Sequence, residues 1–408
     1  MGHNPVGKND APLIIELEGD LLRFGLKYEQ WMAQIASYTD VEKPSAAIDV
    51  TVLPYANSAL QKIESARKEG MQVILNANTN VDQDLTRRIA AHLNLFDHVQ
   101  FAMQQPSAPV TIPIANTLKN WALAFRLHQW VKNCLIFVPL VAAHRLTDVT
   151  LLAQGMLAFL CFGLCASSVY ILNDLLDLTD DRHHKAKRHR PFASGALAIR
   201  SGLIAFPMLL VLAFSLALIS LPWTFAAVLG TYYVLTLLYS LLLKRLMALD
   251  VIALAMLYTL RVFAGGAALQ LTLTFWLLAF AMFLFLSLAL AKRFAELRDA
   301  LERGRTGKTR GRDYDPHDLE MIASLGAAAG YQSVMVLALY LREQSTITLY
   351  ANPDVMWLAC PILLFWITRV WMLTHRGQMH EDPVVFAARD WISQIAGVLF
   401  GLTFLAAS

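Results

Sequence analysis

The stretch that decides the fold is Asn173-Asp174-Leu175-Leu176-Asp177-Leu178-Thr179-Asp180-Asp181, which follows an apolar run from Leu151 to Tyr170 without a turn signal. If the run continues as a helix, Asp174, Asp177 and Asp181 fall at positions i, i+3 and i+7 and share one face. Carboxylates this close repel one another, and each is costly to desolvate beside a bilayer. A divalent cation would relieve both costs, and hard oxygen ligands beside a phosphate suit Mg²⁺. We therefore predict that these three residues bind a metal ion.

A basic run follows at once, Arg182-His183-His184-Lys185-Ala186-Lys187-Arg188-His189-Arg190. Its cations would hold an anion that the metal cannot neutralise alone. The two runs together predict a Mg²⁺–diphosphate site at a membrane surface. The alternative is a charged loop that only anchors the end of a helix.

The composition excludes an ordinary soluble protein. Of the 408 residues, 56% are hydrophobic and only 16% are charged. The four cysteines lie in apolar runs and form no CxxC pair, which predicts packing residues rather than disulfides or a zinc site. The first residues contain no apolar h-region, so we expect no cleaved signal peptide.

From about Trp121 onward, nine apolar stretches approach the roughly 20 residues that a bilayer requires. They cover residues 125–143, 149–172, 201–220, 225–243, 250–268, 274–291, 321–341, 355–373 and 391–407. Lys and Arg cluster in the connections after the second, fourth, sixth and eighth stretches, while the other side has little beyond Arg145 and Arg342. By the positive-inside rule, the basic connections face the cytoplasm. We predict an all-α, nine-helix protein of a plasma or bacterial inner membrane, with a cytoplasmic site and N-terminal domain.

The sequence pattern of residues 1–103 predicts a small α/β domain. Apolar strands at Leu13–Leu17 and Met71–Leu75 are followed by loops, and helices are expected at Ala59–Lys68 and Leu85–Leu93. Two strand-loop-helix units predict a small parallel sheet. The Pro-containing residues 104–120 are interpreted as a linker to a transmembrane domain at 121–408.

The run Glu16-Leu17-Glu18-Gly19-Asp20-Leu21-Leu22 resembles the first motif of the haloacid dehalogenase-like phosphatases. In that family both motif carboxylates are Asp and the first is the nucleophile, whereas Glu16 and Glu18 each have an extra methylene that positioned catalysis rarely tolerates. Asn76 ends the second strand, where the family has Ser or Thr. The linker leaves no room for the later Lys and acidic pair. We predict a truncated, inactive domain that acts as a scaffold, dimerisation or regulatory module.

Nine helices with this Asp-rich motif resemble the UbiA superfamily of intramembrane prenyltransferases over residues 120–408. The resemblance implies that Asp174, Asp177 and Asp181 bind Mg²⁺ and take part in catalysis. It also implies that Asn173 belongs to the motif, and that Lys187 and Arg190 contact phosphate.

The second motif of that superfamily is matched only in part. Tyr239, Lys244 and Asp250 fit it, which implies substrate binding by the first two and a catalytic role for Asp250. Leu254 replaces a second Asp, so a second fully liganded Mg²⁺ is not expected. The alternative for Tyr239 and Lys244 is anchoring at the membrane interface.

Further polar residues interrupt the apolar stretches. Arg261 lies near the middle of the fifth stretch, where an Arg is costly and suggests function, or else an ion pair with a neighbouring helix. With Arg126 and Lys132-Asn133 in the first stretch, Lys292-Arg293 at the end of the sixth, and Asp382-Pro383 with Asp390 after the eighth, the pattern is similar to the polyprenyl-phosphate phosphoribosyltransferases within the superfamily. That resemblance implies that Lys132, Asn133, Arg261, Lys292 and Arg293 bind substrate.

The implied reaction transfers 5-phosphoribosyl from phosphoribosyl diphosphate to a polyprenyl phosphate and releases pyrophosphate. One alternative keeps the fold but transfers a prenyl group from its diphosphate to an aromatic acceptor. Another is a non-enzymatic transporter or scaffold. We expect membrane lipid and no nucleic acid as partners, and the sequence leaves the oligomeric state open, a homo-oligomer included.

Overall fold

The computed structural model describes residues 12–22, 24–39, 48–102, 114–184, 187–302, 313–343, 347, 350–379 and 382–407. Most of the proposed linker, residues 104–113, lies outside these ranges, whereas 114–120 begin a helix. The Arg- and Lys-rich segment 303–312, which follows the sixth apolar stretch, also lies outside the described ranges. The chain divides into two compact units. The first contains Met1–Arg126 and Ser167–Leu209, and the second contains Leu127–Ala166 and Leu210–Ser408.

The first unit contains a three-stranded parallel sheet in the order β1-β2-β3. The strands are β1 (Leu13–Glu16), β2 (Val73–Asn78) and β3 (His98–Ala102). Along β2 every second residue is buried, as expected for a strand with one face on a core. The sheet confirms the predicted α/β character of the N-terminal region, but β3 was not predicted.

The helices of this region are α1 (Leu26–Thr39), α2 (Asn57–Lys68) and α3 (Gln83–Leu93), followed by α4 (Ile114–Ala124). The Asp82 side chain caps α3 by accepting from the backbone N–H groups of Asp84 and Leu85. Asn94 ends it in the left-handed conformation with φ 49°. The helices at α2 and α3 were predicted and α1 was not.

Seven helices in the described part of the chain are long and apolar enough to cross a membrane, or eight if one bent pair is a single span. The long helices are α6 (Val149–Leu176), α8 (Ile199–Ser220), α9 (Trp223–Leu241), α10 (Leu249–Leu269), α11 (Phe275–Glu302), α12 (Leu319–Leu341) and α13 (Ala359–His375). A short helix α7 (Leu178–His183) follows α6. The bent pair is α14 (Pro383–Arg389) and α15 (Trp391–Ala407), which meet at 85°.

The prediction of nine spans is not confirmed, and the first stretch, 125–143, shows why. It folds as a 3₁₀ helix over Leu127–Phe137 and a five-residue helix α5 (Val138–Ala142). Arg126 turns the chain with φ 50°, and Pro139 supplies no N–H for a continuous α-helix. Hydropathy detects the apolar content of this segment but not its backbone geometry.

The 3₁₀ segment packs very closely on α10. A Cβ at Gly265 would lie 2.0 Å from the carbonyl oxygen of Ile136 and 3.0 Å from Cδ of Pro139. Only glycine permits this approach. The contact holds the segment that carries Lys132 and Asn133 against the helix that carries Arg261.

Candidate functional site

The Asp-rich stretch takes part in a cluster of two buried carboxylates and two half-buried arginine side chains. Near the end of α6, Asp174 is 2% exposed, and its Oδ1 accepts from Arg126 Nη2 at 2.5 Å and from Arg190 Nη1 at 3.1 Å. Arg190 Nη1 also donates to Asp181 Oδ2 at 2.7 Å. We call Arg126, Asp174, Asp181 and Arg190 the Asp-rich cluster.

The helical spacing predicted for this stretch is retained across the break between α6 and α7. The Asp177 N–H donates to the Asn173 carbonyl at 2.9 Å, and the Asp181 N–H donates to the Asp177 carbonyl at 2.8 Å. Asp174 and Asp181 therefore reach the same arginine. Asp177 is half-buried at the break, and its negative charge acts on Asp174.

Asp181 is poorly neutralised by its surroundings. Burial raises the pKa of its carboxyl group to about 6, although Arg190 and Lys187 act in the opposite direction. Its Oδ1 is buried and receives no hydrogen bond within the described part of the chain. A buried carboxylate with an open oxygen fits an additional cation.

The donor set suits a metal held jointly with a ligand. No group of three His, Cys, Asp or Glu side chains that could hold a metal ion is found within the described ranges. Mg²⁺ commonly uses one or two carboxylates together with substrate phosphates and water. Two carboxylates beside two phosphate-binding guanidinium groups fit that arrangement. The three-carboxylate metal site remains a prediction.

The other predicted residues of this stretch lie at its edge. Asn173 is half-buried on the last turn of α6, and Lys187 is exposed on the 3₁₀ turn Lys187–His189. Lys187 is still close enough to Asp181 to oppose the rise in its pKa.

A second cluster, in the second unit, is centred on Asp382. Its Oδ2 lies 2.8 Å from Lys132 Nζ and 3.3 Å from Lys292 Nζ. The Tyr258 hydroxyl donates to the same carboxylate, 2.9 Å from Oδ1 and 3.0 Å from Oδ2. Burial acts to raise the pKa of Asp382, but Lys292 and Lys132 outweigh it and hold the pKa well below its ordinary value. We call Lys132, Tyr258, Lys292 and Asp382 the Asp382 cluster.

Four elements supply the Asp382 cluster. Lys132 comes from the 3₁₀ segment, Tyr258 from α10 and Lys292 from α11. Asp382 precedes Pro383 and caps α14 by accepting from the Val384 N–H at 3.2 Å. A cavity of about 450 Å³ borders the cluster. It is lined by His128, Gln129, Asp382, Val385 and Arg389.

Arg261 joins α10, α9 and the 3₁₀ segment. It is 5% exposed, and its Nε donates to Asn133 Oδ1 at 3.0 Å. Its Nη2 donates to the Tyr232 hydroxyl at 2.9 Å, and its Cζ lies 4.8 Å from the centroid of that ring. Asn133 Nδ2 is buried without an acceptor among the described residues, so it can still donate to a ligand.

Asp250 lies in a buried ion pair with Arg293. It is 0% exposed; its Oδ2 lies 2.8 Å from Arg293 Nη2, and its Oδ1 accepts from the Tyr314 hydroxyl at 2.5 Å. The Tyr314 hydroxyl in turn accepts from the Ala248 N–H at 3.0 Å, where the backbone has φ 67°. Arg293 also pairs with Glu296. These contacts fix the positions of Asp250 and Arg293, and the predicted catalytic role of Asp250 and substrate-binding role of Arg293 stay predictions.

The remaining predicted residues are less buried. Tyr239 is half-buried on α9, within electrostatic range of Arg293 and Lys292. Lys244 is half-buried on the 3₁₀ turn Leu243–Arg245. Their substrate-binding roles stay predictions.

Sequence reasoning singled out Arg126 and Asp382 as polar residues of the resemblance but assigned neither of them a partner. It missed three tyrosines, Tyr232, Tyr258 and Tyr314. Tyr232 and Tyr258 gave no signal, because a Tyr in an apolar run is usually a packing residue.

Comparison with known proteins agrees with this architecture. The sequence matches the UbiA prenyltransferase family over residues 134–395. A UbiA homologue from Archaeoglobus fulgidus, solved with GPP and Mg²⁺, superposes with a TM-score of 0.53 at 14% identity. The match covers 71% of this chain and 99% of that one, and at this identity it shows the shared fold.

Two relatives each match more than two thirds of this chain. Nodulation protein NoeC of Azorhizobium caulinodans is 36% identical over 69% of this chain and 92% of its own. Decaprenyl-phosphate phosphoribosyltransferase of Mycolicibacterium smegmatis is 30% identical over 72% of this chain and 93% of its own.

The apolar helices and the shared fold define a multi-pass membrane protein. The chain belongs to the UbiA prenyltransferase family.

Proposed function

We propose that this protein transfers 5-phosphoribosyl from phosphoribosyl diphosphate to a polyprenyl phosphate, with Mg²⁺, and releases pyrophosphate. A lipid phosphate oxygen forms a bond to C1 of ribose while the bond from C1 to the diphosphate oxygen breaks. The bonding electrons leave with pyrophosphate. The acceptor is already anionic at neutral pH, so the reaction requires no strong general base.

The observation that carries this proposal is the different charge of the two clusters. In the Asp-rich cluster two carboxylates face two guanidinium groups, and Asp177 adds a further negative charge nearby. An anion would therefore bind there only together with a metal ion. In the Asp382 cluster two ammonium groups share one carboxylate, which leaves positive charge for an anion without metal. Transfer of a prenyl group to an aromatic acceptor requires only one diphosphate site with a metal ion, such as the Asp-rich cluster. It does not require a second site for an anion.

At the Asp-rich cluster, Asp174 and Asp181, with Asp177 at the helix break beside them, would hold Mg²⁺, and Arg126 and Arg190 would bind diphosphate oxygens. The metal would supply charge neutralisation as the diphosphate leaves C1. Asp174 and Asp181 also keep both guanidinium groups oriented, so the positive groups are in place before the leaving group gains charge.

At the Asp382 cluster, Lys132 and Lys292 would bind a phosphate group. Asp382 and Tyr258 fix the two ammonium groups, and the bordering cavity offers space for a ligand. Asn133 Nδ2 is a further open donor on the segment that carries Lys132. The name of the 30%-identical relatives, decaprenyl-phosphate phosphoribosyltransferase, supports a phosphoribosyl donor with a polyprenyl phosphate acceptor.

We also propose that the Asp-rich cluster and the N-terminal α/β domain face the cytoplasm. The excess of Lys and Arg in the connections after alternate apolar stretches supports this orientation.

The experiment measures pyrophosphate release by purified protein given Mg²⁺, phosphoribosyl diphosphate and a polyprenyl phosphate. We expect release only when both substrates are present. Asp177→Asn should abolish it, whereas Asp180→Asn, a change at an exposed position of the next turn, serves as the matched control and should retain it. Pyrophosphate release only from a prenyl diphosphate plus an aromatic acid would show the alternative reaction.

A further inference from the structure

A buried ion pair joins α7, the helix that carries Asp181 of the Asp-rich cluster, to the α/β domain. Glu29 of α1 and Arg182 of α7 are 3% and 7% exposed. Arg182 Nη1 donates to Glu29 Oε1 at 2.5 Å, and Arg182 Nη2 donates to Oε2 at 3.0 Å. This is the bidentate geometry that fixes both the direction and the distance of a guanidinium group.

The same guanidinium group also reaches the chain segment that carries Arg190. Arg182 Nε donates to the Ala193 carbonyl at 3.1 Å, and its Cζ lies 5.4 Å from the centroid of the Phe24 ring. Arg182 follows Asp181 directly, and Ala193 lies three residues after Arg190. Arg182 therefore connects the two segments whose side chains meet in the Asp-rich cluster.

Two further contacts join these segments to the α/β domain. His183 Nε2 lies 3.0 Å from Asp49 Oδ2. Gly195 adopts φ +71°, and a Cβ there would lie 3.3 Å from Cγ of Pro54. The α/β domain thus contacts both α7 and the segment after Arg190.

We propose that the N-terminal α/β domain is a positioning element of the Asp-rich cluster, and that Glu29 is a positioning residue that holds Asp181 and Arg190 together through Arg182. This rests on the proposed function, in which Asp181 binds the metal with a diphosphate. Side chains that orient metal ligands commonly change metal affinity about 10- to 100-fold when they are replaced. A role in metal binding therefore predicts a change in affinity that is separate from any change in stability.

The test uses the full-length protein in detergent, with Mn²⁺ and inorganic pyrophosphate as probes. Electron paramagnetic resonance of free Mn²⁺ gives the dissociation constant, and thermal unfolding gives the stability. Glu29→Gln should weaken Mn²⁺ binding about 10-fold or more. Glu64→Gln, at an exposed position of α2, is the matched control and should leave binding unchanged.

A second variant separates positioning from burial of an unpaired charge. Glu29→Gln combined with Arg182→Gln removes both charges, so we expect its unfolding midpoint to recover relative to Glu29→Gln while Mn²⁺ binding stays weak. Recovery of Mn²⁺ binding together with the midpoint would overturn the positioning role. If Glu29→Gln does not fold, Arg182→Lys gives the same comparison, because lysine keeps the charge but lacks the planar guanidinium group that bonds Glu29 bidentately and Ala193 through Nε.

The outcomes also separate this proposal from the proposed function. If the native protein binds Mn²⁺ with pyrophosphate and a folded Glu29→Gln binds it equally well, the positioning role is rejected and the metal site stands. If the native protein binds no Mn²⁺ with pyrophosphate, the metal site itself is rejected, and the positioning role with it.

Discussion

Asp382 holds two lysines that lie far from it in the sequence. Its carboxylate is 7% exposed, and the side chains of Lys132 and Lys292 are 11% and 31% exposed. Removing the partner of a buried charge commonly costs about 3–5 kcal/mol. Asp382→Asn would leave two ammonium groups close together without their carboxylate.

We predict that Asp382→Asn lowers the free energy of unfolding by about 3 kcal/mol at neutral pH. Thermal unfolding in detergent measures this as a lower midpoint. Asp354→Asn, in the 3₁₀ helix Pro353–Leu358, is a control for loss of one carboxylate elsewhere. An unchanged midpoint for Asp382→Asn would show that the two lysines do not depend on this residue.

The same residue predicts a pH dependence. Lys292 and Lys132 overcome the effect of burial and hold the pKa of Asp382 below its unfolded value of about 3.9. Its ionised form therefore stabilises the fold from that value up to neutral pH, and the contribution is lost as pH falls through the folded pKa. The midpoint difference between the native protein and Asp382→Asn should be constant from about pH 5 to 7 and shrink below about pH 4. A difference that stays constant into acid would contradict the ion pairs.

Contacts between single residues could be predicted only where the two residues lie close together in the sequence. The spacing of Asp174 and Asp181 placed them on one face, and the structure joins them through Arg190, only nine residues after Asp181. The pair of Lys132 and Asp382 spans 250 positions. The local sequence pattern around either residue contains no information on this pair, because the pairing depends on how separate helices pack.

At the scale of elements, long apolar runs predicted the helices well because length and hydropathy are enough to define a span. α6 begins at Val149 and α12 ends at Leu341, as expected. The failure at 125–143 has a physical cause in the backbone, at Arg126 and Pro139. β3 was missed because the strand has only five residues and these are exposed or half-buried.

Gly265→Ala should disrupt the packing of the 3₁₀ segment on α10. The added Cβ would lie 2.0 Å from the Ile136 carbonyl oxygen, and a backbone atom cannot move aside cheaply. Overpacking of this kind commonly costs about 1–3 kcal/mol. Gly397→Ala on α15 is the matched control, since no atom lies within 4 Å of its added Cβ.

We expect Gly265→Ala to lower the unfolding midpoint and Gly397→Ala to leave it unchanged or raise it, because alanine favours a helix. Thermal unfolding in detergent compares the two. Equal midpoints would contradict the close approach at Gly265.

At the scale of the whole molecule, composition and the apolar stretches were sufficient to predict a membrane protein. The Asp-rich motif in that setting was sufficient to predict the family. The count of spans and the partners of the buried charges required coordinates. The likeness of the N-terminal domain to haloacid dehalogenase-like phosphatases stays a prediction. In the structure Glu16 Oε1 accepts from Asn76 Nδ2 at 2.9 Å, and Glu18 Oε1 accepts from the Leu26 N–H at 2.6 Å.

The orientation in the membrane can be tested with single cysteines. Cys134 is exposed and would first be replaced by Ser, while the other three cysteines are buried. A cysteine at exposed Arg188 should react with an impermeant maleimide only after cells are opened. A cysteine at exposed Arg145 is the control and should react in intact cells. The reverse pattern would contradict the cytoplasmic placement of the Asp-rich cluster.

The most direct test of the central claim is the identity of the lipid product. Purified protein in lipid vesicles would be given Mg²⁺, a polyprenyl phosphate and phosphoribosyl diphosphate labelled in the ribose, and the product would be analysed by mass spectrometry. We predict a lipid that retains its phosphate, gains one labelled ribose 5-phosphate and forms in equal amount to pyrophosphate. An unmodified lipid, with a prenyl group transferred to an aromatic acid when prenyl diphosphate is supplied, would contradict the account.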